Sequence, residues 1–258
     1  MSKSVLVVGG GIIGLSSAYY LNKAGHHVTV VDQSNLDAGA SYVNAGYLSP
    51  SHLIPLSAPG VMKKGLKWMF NPASPLYIKP RFDLDFLRWS WAFNKSCNLK
   101  HVQKAAPVIR DISLLSQELM TDIKKDPSFT FHYQKKGLFM LCQTEKMLEE
   151  ELEVAKYAVE LGLAAKEVSR LEIQQMEPDV NINAIGAAYF ECDHHSTPQE
   201  FMTELKAYLT NAGVNIYANE KVLDIVLKNH GVESIITSNR AFKPDEIVMA
   251  AGSWSALL

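Results

Sequence analysis

Little in the composition of this chain points to a partner. Acidic and basic residues nearly cancel, leaving a formal net charge of -2, so there is no excess of one sign to draw in a nucleic acid or another strongly charged macromolecule. Cysteine is sparse. Cys97, Cys142 and Cys192 are odd in number and show no C-x-x-C spacing, which argues against a disulfide framework or a metal site and reads as buried thiols in a reducing compartment. No apolar run is long enough to span a bilayer. The chain passes from Met1 almost directly into an apolar run and a glycine loop, which leaves no room for the basic, apolar and small-residue regions of a secretory signal. Internal repeats and low-complexity tracts are absent. These absences predict a cytoplasmic globular protein with no metal.

What is present begins at once. Ser4 to Val8 is an apolar β-type run, and Gly9, Gly11 and Gly14 follow at G-x-G-x-x-G spacing. Helix-like sequence through Ile12, Leu15, Ala18 and Tyr19 stops at Gly25, and a second apolar run from Val28 ends on Asp32. Each glycine has a reason. Gly9 permits the turn out of the strand, Gly11 lets backbone approach a pyrophosphate, and Gly14 lets the helix pack close to the sheet. The helix N-terminus would hold the phosphates, and Asp32 would accept from a ribose hydroxyl. The spacing therefore predicts a dinucleotide-binding βαβ unit. After Asp32 a nicotinamide-type domain would soon offer another helix and strand. This chain offers instead a second small-residue loop, Gly39-Ala-Ser-Tyr-Val-Asn44-Ala45-Gly46-Tyr-Leu48-Ser-Pro50, which reads either as backbone wrapping a planar or phosphorylated ligand or as a flexible surface loop.

The remainder is read in order. Residues 50 to 82 carry Pro50, Pro55, Pro59, Pro72, Pro75 and Pro80 among Leu53, Ile54, Val61, Leu66, Trp68, Met69 and Phe70. So much proline breaks regular structure, and so much apolar side chain leaves two readings open: a buried cover over a cofactor, or a face resting on a membrane. Asp83 to Lys95, with Phe86, Leu87, Trp89, Trp91 and Phe93, predicts a buried aromatic helix, and Ile109, Ile112, Leu115, Leu119 and Ile123 predict a second over Pro107 to Lys124, closed by Asp126-Pro127. Phe129–Tyr133 and Leu138–Cys142 read as a hairpin across Gln134 to Gly137. Leu148, Leu152, Ala155 and Val159 mark a helix that Gly162 ends. Ser169 with Glu172, and Thr197 with Glu200, have the form of capping boxes, the second with Pro198 at N1. Between them, Ala184 to Glu191 reads as a strand and Glu191 to Thr197 as a polar loop. Val214–Tyr217 would supply the strand missing after Asp32, Val222–Leu227 and Val232–Thr237 a hairpin, and Ile247 to Gly252 a strand entering a tight turn.

The βαβ opening, the Gly39 to Pro50 loop and the run Pro55 to Trp68 resemble the amine-oxidising flavoproteins of the D-amino-acid oxidase superfamily, and among them the bacterial D-amino-acid dehydrogenases most. Similar segment order extends over the whole chain, and Asn44-Ala-Gly46-x-x-Ser-Pro50 is its most specific phrase. The resemblance implies an α/β fold: a discontinuous Rossmann-like FAD-binding domain, residues 1–80 and 196–258, with an inserted α+β substrate domain and its helical connection in 81–195. FAD would be held by Gly9, Gly11, Ile12, Ile13 and Gly14 at the pyrophosphate. Asp32 would meet the adenosine ribose, with Gln33 in the same set, and Ser41, Asn44, Ala45, Gly46 and Leu48 would line the pyrophosphate and isoalloxazine. Val222 would lie by the adenine, and the turn at Ala251 and Gly252 would bring backbone against the cofactor. Asp32 departs from the glutamate common at this position in the superfamily, which shortens its reach.

The activity so implied is oxidation of a D-amino acid by hydride transfer to flavin N5, giving a 2-oxo acid and ammonia after hydrolysis, with a quinone or oxygen as electron acceptor. Oxidation of glycine or a cyclic secondary amino acid such as hydroxyproline is a second reading, and a non-catalytic flavin-binding fragment a third. Peripheral contact with the inner face of the cell membrane would suit a quinone acceptor. Such chemistry needs no nucleophilic residue. His52, His194 and His195 are the side chains that would meet a carboxylate or help deprotonate an amine, against the plainer reading of solvated loop positions. Arg81, Arg88, Arg110 and Arg170 lie in helix or linker contexts, so none is assigned as a carboxylate clamp. Related flavoproteins continue beyond the turn at Gly252 with more substrate domain, which predicts that this chain is a fragment or truncated product with weak or absent activity by itself.

Overall fold

A computed structural model describes residues 1–61, 65, 83–228 and 231–258. Pro72, Pro75, Pro80, Leu66, Trp68, Met69, Phe70 and Arg81 lie outside the described residues. Two compact units emerge, one of residues 1–46, 121–133 and 196–258, the other of 47–120 and 134–195.

The first unit is built on a parallel sheet. Strands β1 (Ser4–Val8) and β2 (His27–Val31) flank helix α1 (Ile12–Lys23). β1 also pairs in parallel with a late strand at Glu246–Met249, and β2 with one at Asn215–Tyr217. The expected return strand at Val214–Tyr217 is therefore present, as Asn215–Tyr217, with residues 32–214 lying between it and β2. Val5, Leu6, Val7 and Val8 are all buried, as are Val28, Val30 and Val31, the pattern of strands covered on both faces. Each such side chain contributes about 1.5–3 kcal/mol on leaving water. Leu15, Ala18 and Tyr19 bury one face of α1, and Tyr19 meets Tyr208 of the helix Pro198–Asn211 with ring centroids 5.3 Å apart. On the other side, the antiparallel strands Val222–Lys228, Gly231–Thr237 and Ala241–Phe242 supply Val222 and Ile235 to a core shared with Leu6, Val8 and Val31.

The second unit holds an antiparallel sheet of three strands, Leu138–Cys142, Gly186–Phe190 and Ala165–Ser169, with Gly186–Phe190 central and wholly buried. Ala188 and Phe190 pack with Ala155 and Ala158 of the helix Glu145–Glu160. Ala187 and Tyr189 pack on the opposite side with Val168, Ile173 and Ile182. Small residues in the central strand let the covering elements approach closely. The capping box of Ser169 and Glu172 is formed, with the Glu172 carboxylate accepting the Ser169 N–H at 2.7 Å.

Several local expectations are corrected. Leu138–Cys142 does not form a hairpin with the segment before it but pairs with Gly186–Phe190. Phe129 and Phe131 are held instead in an aromatic cluster with Tyr208 and Phe201. The helix at Leu84–Ser96 forms but buries none of its residues. In the helix Leu99–Lys124 the inward face is Val102, Ala106, Gln117, Met120 and Ile123, while Ile112 and Leu115 are exposed; Val159 is exposed too, and Ala155 with Ala158 turns inward. The second capping box is not made. The Glu200 carboxylate accepts the His132 N–H, and the Thr197 N–H donates to the His132 carbonyl, so a neighbouring segment takes both partners. Of the thiols only Cys142 is fully buried, Cys97 and Cys192 being partly exposed.

Candidate functional site

The glycine loop of the first unit is packed so closely that side chains are excluded. Gly9 adopts φ of +108°, and a Cβ there would stand 2.4 Å from the Ala250 carbonyl oxygen. At Gly14 the same atom would lie 1.8 Å from the Gly9 carbonyl oxygen and 3.3 Å from Val7. Gly9 thus admits the chain end of the last strand, and Gly14 lets α1 settle on β1. The Ala250 N–H donates to the Val8 carbonyl at 2.8 Å. Ala251 and Gly252 follow, with φ of +56° at Gly252. The carboxyl ends of adjacent parallel strands therefore carry two close backbone turns side by side, the place where open α/β sheets take ligands.

Ser41 is brought to the same point from the second loop. Its hydroxyl accepts the Ile12 N–H at 2.9 Å and would lie 3.1 Å from a Cβ at Gly11. Gly11 is the N-cap of α1 and has no side chain with which to satisfy the first-turn amides, which by helix geometry have no intrahelical acceptor. The amides around Gly11, Ile13 and Gly14, with the positive end of the helix dipole, suit an anion.

Asp32 stands at the end of β2. One carboxylate oxygen accepts the Gly10 N–H at 2.6 Å, and the other accepts the Ser34 N–H and hydroxyl at 2.8 and 2.6 Å. Those three bonds leave an acceptor direction on the first oxygen, since a carboxylate offers about four. Gln33 is exposed beside it. Gly10 is a position the spacing did not single out: a Cβ there would lie 1.7 Å from Leu36, which itself holds φ of +56°.

Within the second loop, the Asn44 amide donates to the Ala40 and Ser41 carbonyls at 2.9 and 3.3 Å and accepts the Gly46 N–H at 2.8 Å. Gly46 has φ of +72°, and a Cβ would fall 2.0 Å from the Ser196 carbonyl oxygen. Ser196 in turn donates its N–H to Gly46 at 2.8 Å. The asparagine and glycine thereby lock the loop, with Ala45 between them. Val222 is buried against Val8 and Val31. Leu48 belongs to the second unit.

The three histidines lie in or beside that second unit's short strands. His194 and His195 form part of a strand, His194–Ser196, rather than a polar loop, and pair with Leu48 and Tyr47. Burial first, and Lys135 next, hold the His194 imidazole below its ordinary range. His52 is exposed, its Nδ1 2.9 Å from the Ser51 hydroxyl. That hydroxyl donates to the fully buried Asp193 carboxylate at 2.5 Å, and the Ser51 N–H donates to the other oxygen at 3.1 Å. Asp193 escaped sequence reasoning because a lone acid in a polar stretch gives no sign of burial. Of the arginines, Arg110 is engaged with the Leu161 carbonyl at 2.6 Å and with Asp111, and Arg88 with Asp85.

Known proteins place this arrangement in context. The family model described as DAO, FAD dependent oxidoreductase, matches residues 4–258. A D-amino acid dehydrogenase of Helicobacter pylori is 35% identical over 258 residues, covering 100% of this chain and 62% of its own length. The chain thus spans about three fifths of this curated relative. Glycine oxidase from Bacillus cereus superposes with a TM-score of 0.68 at 23% identity, over 100% of this chain and 57% of that one. L-amino acid deaminase from Proteus myxofaciens does so with a TM-score of 0.67 at 18% identity, over 100% and 47%. At such identities these two speak for the fold.

Proposed function

The chain belongs to the DAO family of FAD-dependent oxidoreductases, and from that membership we propose that the protein oxidatively deaminates a D-amino acid to a 2-oxo acid and ammonia. The observation that carries this reading is the 35% identity to a D-amino acid dehydrogenase over every residue of the chain.

The residues present fit FAD. Backbone lies where Cβ atoms at Gly9 and Gly14 would collide, and the α1 amides with the Ser41 hydroxyl suit a pyrophosphate. Gly11, Ile12, Ile13 and Gly14 would hold that group, with Asp32 and Gln33 on the ribose side. Val222 would stand by the adenine. Ala251 and Gly252 would press backbone on the cofactor beside Gly9, and Asn44, Ala45, Gly46 and Leu48 would extend the site toward the reacting ring. FAD, when bound, supplies a two-electron acceptor. The chain's own contribution is to bind, orient and keep the site dry. His52, His194 or His195 would meet the substrate carboxylate or help deprotonate its amine, and a quinone or oxygen would reoxidise the protein.

A visible spectrum of the chain after gel filtration should show a bound flavin, and anaerobic D-alanine should bleach it, far more slowly than in a relative of full length. Bleaching by L-alanine alone would overturn the stereochemistry, and bleaching by neither would leave a flavin-binding protein without this activity.

A further inference from the structure

Both oxygens of the buried Asp193 carboxylate are engaged by Ser51. Oδ1 accepts the Ser51 N–H at 3.1 Å, and Oδ2 accepts the Ser51 hydroxyl at 2.5 Å. A serine hydroxyl has a single proton, and here Asp193 takes it. Toward His52, whose Nδ1 lies 2.9 Å away, the Ser51 oxygen can therefore only accept. The neutral imidazole must then carry its proton on Nδ1, which leaves the lone pair on Nε2. The backbone around the ring is pinned. Ser51 and Leu53 are buried, Leu53 among Ala155, Ala158 and Phe190, and the His52 N–H donates to the Ser49 carbonyl at 3.1 Å. The Gln117 amide donates to the Leu48 and Cys192 carbonyls at 2.8 and 2.9 Å, which ties the segment before Ser51 to the one before Asp193. The His52 side chain itself is exposed, within reach of a ligand.

We propose that Asp193, acting through Ser51, holds His52 as the Nδ1–H tautomer and so makes Nε2 of His52 the atom that receives the proton shed by the substrate amine. Asp193 and Ser51 are then positioning residues. This rests on the amine oxidation proposed above, and it names one of the three candidate histidines and the nitrogen it uses. The proton passes from the substrate ammonium to Nε2, giving a neutral amine and an imidazolium, and no electron moves in that step. Glu151 stands near enough to feel that charge. Burial raises its carboxyl above the ordinary range, and His52 pulls it back down. A hydrolase triad has another order, with the histidine between acid and serine. Here the serine lies between them, buried and with its proton given to the acid, so it orients and does not attack.

The test reads the imidazole nitrogens of the full chain, labelled with nitrogen-15, by long-range proton–nitrogen NMR at a pH where the ring is neutral. His52→Gln assigns the signals by their loss. In the parent, Nδ1 of His52 should resonate as a protonated nitrogen and Nε2 as an unprotonated one. Asp193→Asn should reverse the pair: its Oδ1 stays on the Ser51 N–H, so its amide nitrogen donates to the Ser51 hydroxyl, whose proton turns to Nδ1. Far-UV circular dichroism checks the fold of each variant. If Asp193→Asn does not fold, Ser51→Ala, which only removes an oxygen, decides by losing the preference for Nδ1–H. Anaerobic bleaching by D-alanine reads the proton transfer, and His52→Gln should slow it about a hundredfold, the low end for a lost proton acceptor. An Nε2–H ring in the parent, or a folded variant with the parent's tautomer, would overturn the positioning role. Bleaching of His52→Gln at the parent's rate would overturn Nε2 as the acceptor. A parent that D-alanine does not bleach would overturn the reaction and with it the amine as proton source, while the nitrogen signals still decide what Asp193 and Ser51 do.

Discussion

The Asp32 carboxylate accepts the backbone N–H of Gly10 at 2.6 Å, so the acid at the end of the second strand also holds the glycine turn after the first. The residue expected to meet a ribose is thus part of the loop's own scaffold. Asp32→Ala would strand the Gly10 and Ser34 donors at a cost of about 1–3 kcal/mol. Denaturant unfolding should show that loss even without flavin, and the variant should also retain less flavin on gel filtration.

Gly14 and Gly25 separate two reasons for glycine. A Cβ at Gly14 would strike backbone at 1.8 Å, whereas Gly25, at φ of +83°, has nothing within 4 Å. Gly14→Ala should cost about 3 kcal/mol, the upper end of overpacking. Gly25→Ala carries only left-handed strain, about 1–2 kcal/mol. Melting temperatures of the two variants should rank in that order.

Glu220 is buried where it accepts from the Thr237 hydroxyl and from the Asn239 side-chain amide at 3.0 Å, with Arg240 at 3.5 Å. The Thr237 bond first, then Asn239, hold its carboxyl below the usual range. A depressed folded value means that the stabilisation is complete above the unfolded value, about 4.3, and is lost as pH falls through the folded one. Glu220→Gln should therefore melt below the parent at neutral pH, with the gap narrowing in acid.

Burial, and then Asp193, push the Cys192 thiol up to about 12, and burial raises Cys142 as well. Thiolates are the reactive form. A disulfide reagent at pH 8 should modify one thiol in the folded chain, Cys97 by peptide mapping, and all three after denaturation. Rapid folded-state labelling of Cys192 would contradict this.

Much of the first unit was legible because its signals are local. Gly9, Gly11, Gly14 and Asp32 occupy one continuous βαβ stretch, and the Val214–Tyr217 strand follows from a run of apolar residues after a helix. Burial was less legible. Phe86, Trp89 and Trp91 have the composition of a core, yet a helix wheel does not say which face meets the body, and the outer face of that helix proved apolar. The stripe in Leu99–Lys124 was right at Ile123, which is buried, and wrong at Ile112 and Leu115, which face water though they match helical spacing as well as Val102, Ala106 and Met120 do.

The amino-acid sequence by itself determined the glycine turn, its parallel strands and the acid that ends the second, because turn sterics and strand burial act between near neighbours. Only the tertiary structure decided that Ser41 reaches the Ile12 amide, that Ala250 closes on Gly9, and that Asp193 lies buried against Ser51. Those contacts join segments 29, 241 and 142 positions apart. Nothing in local spacing encodes them, since they arise from how separate elements share one sheet and one core.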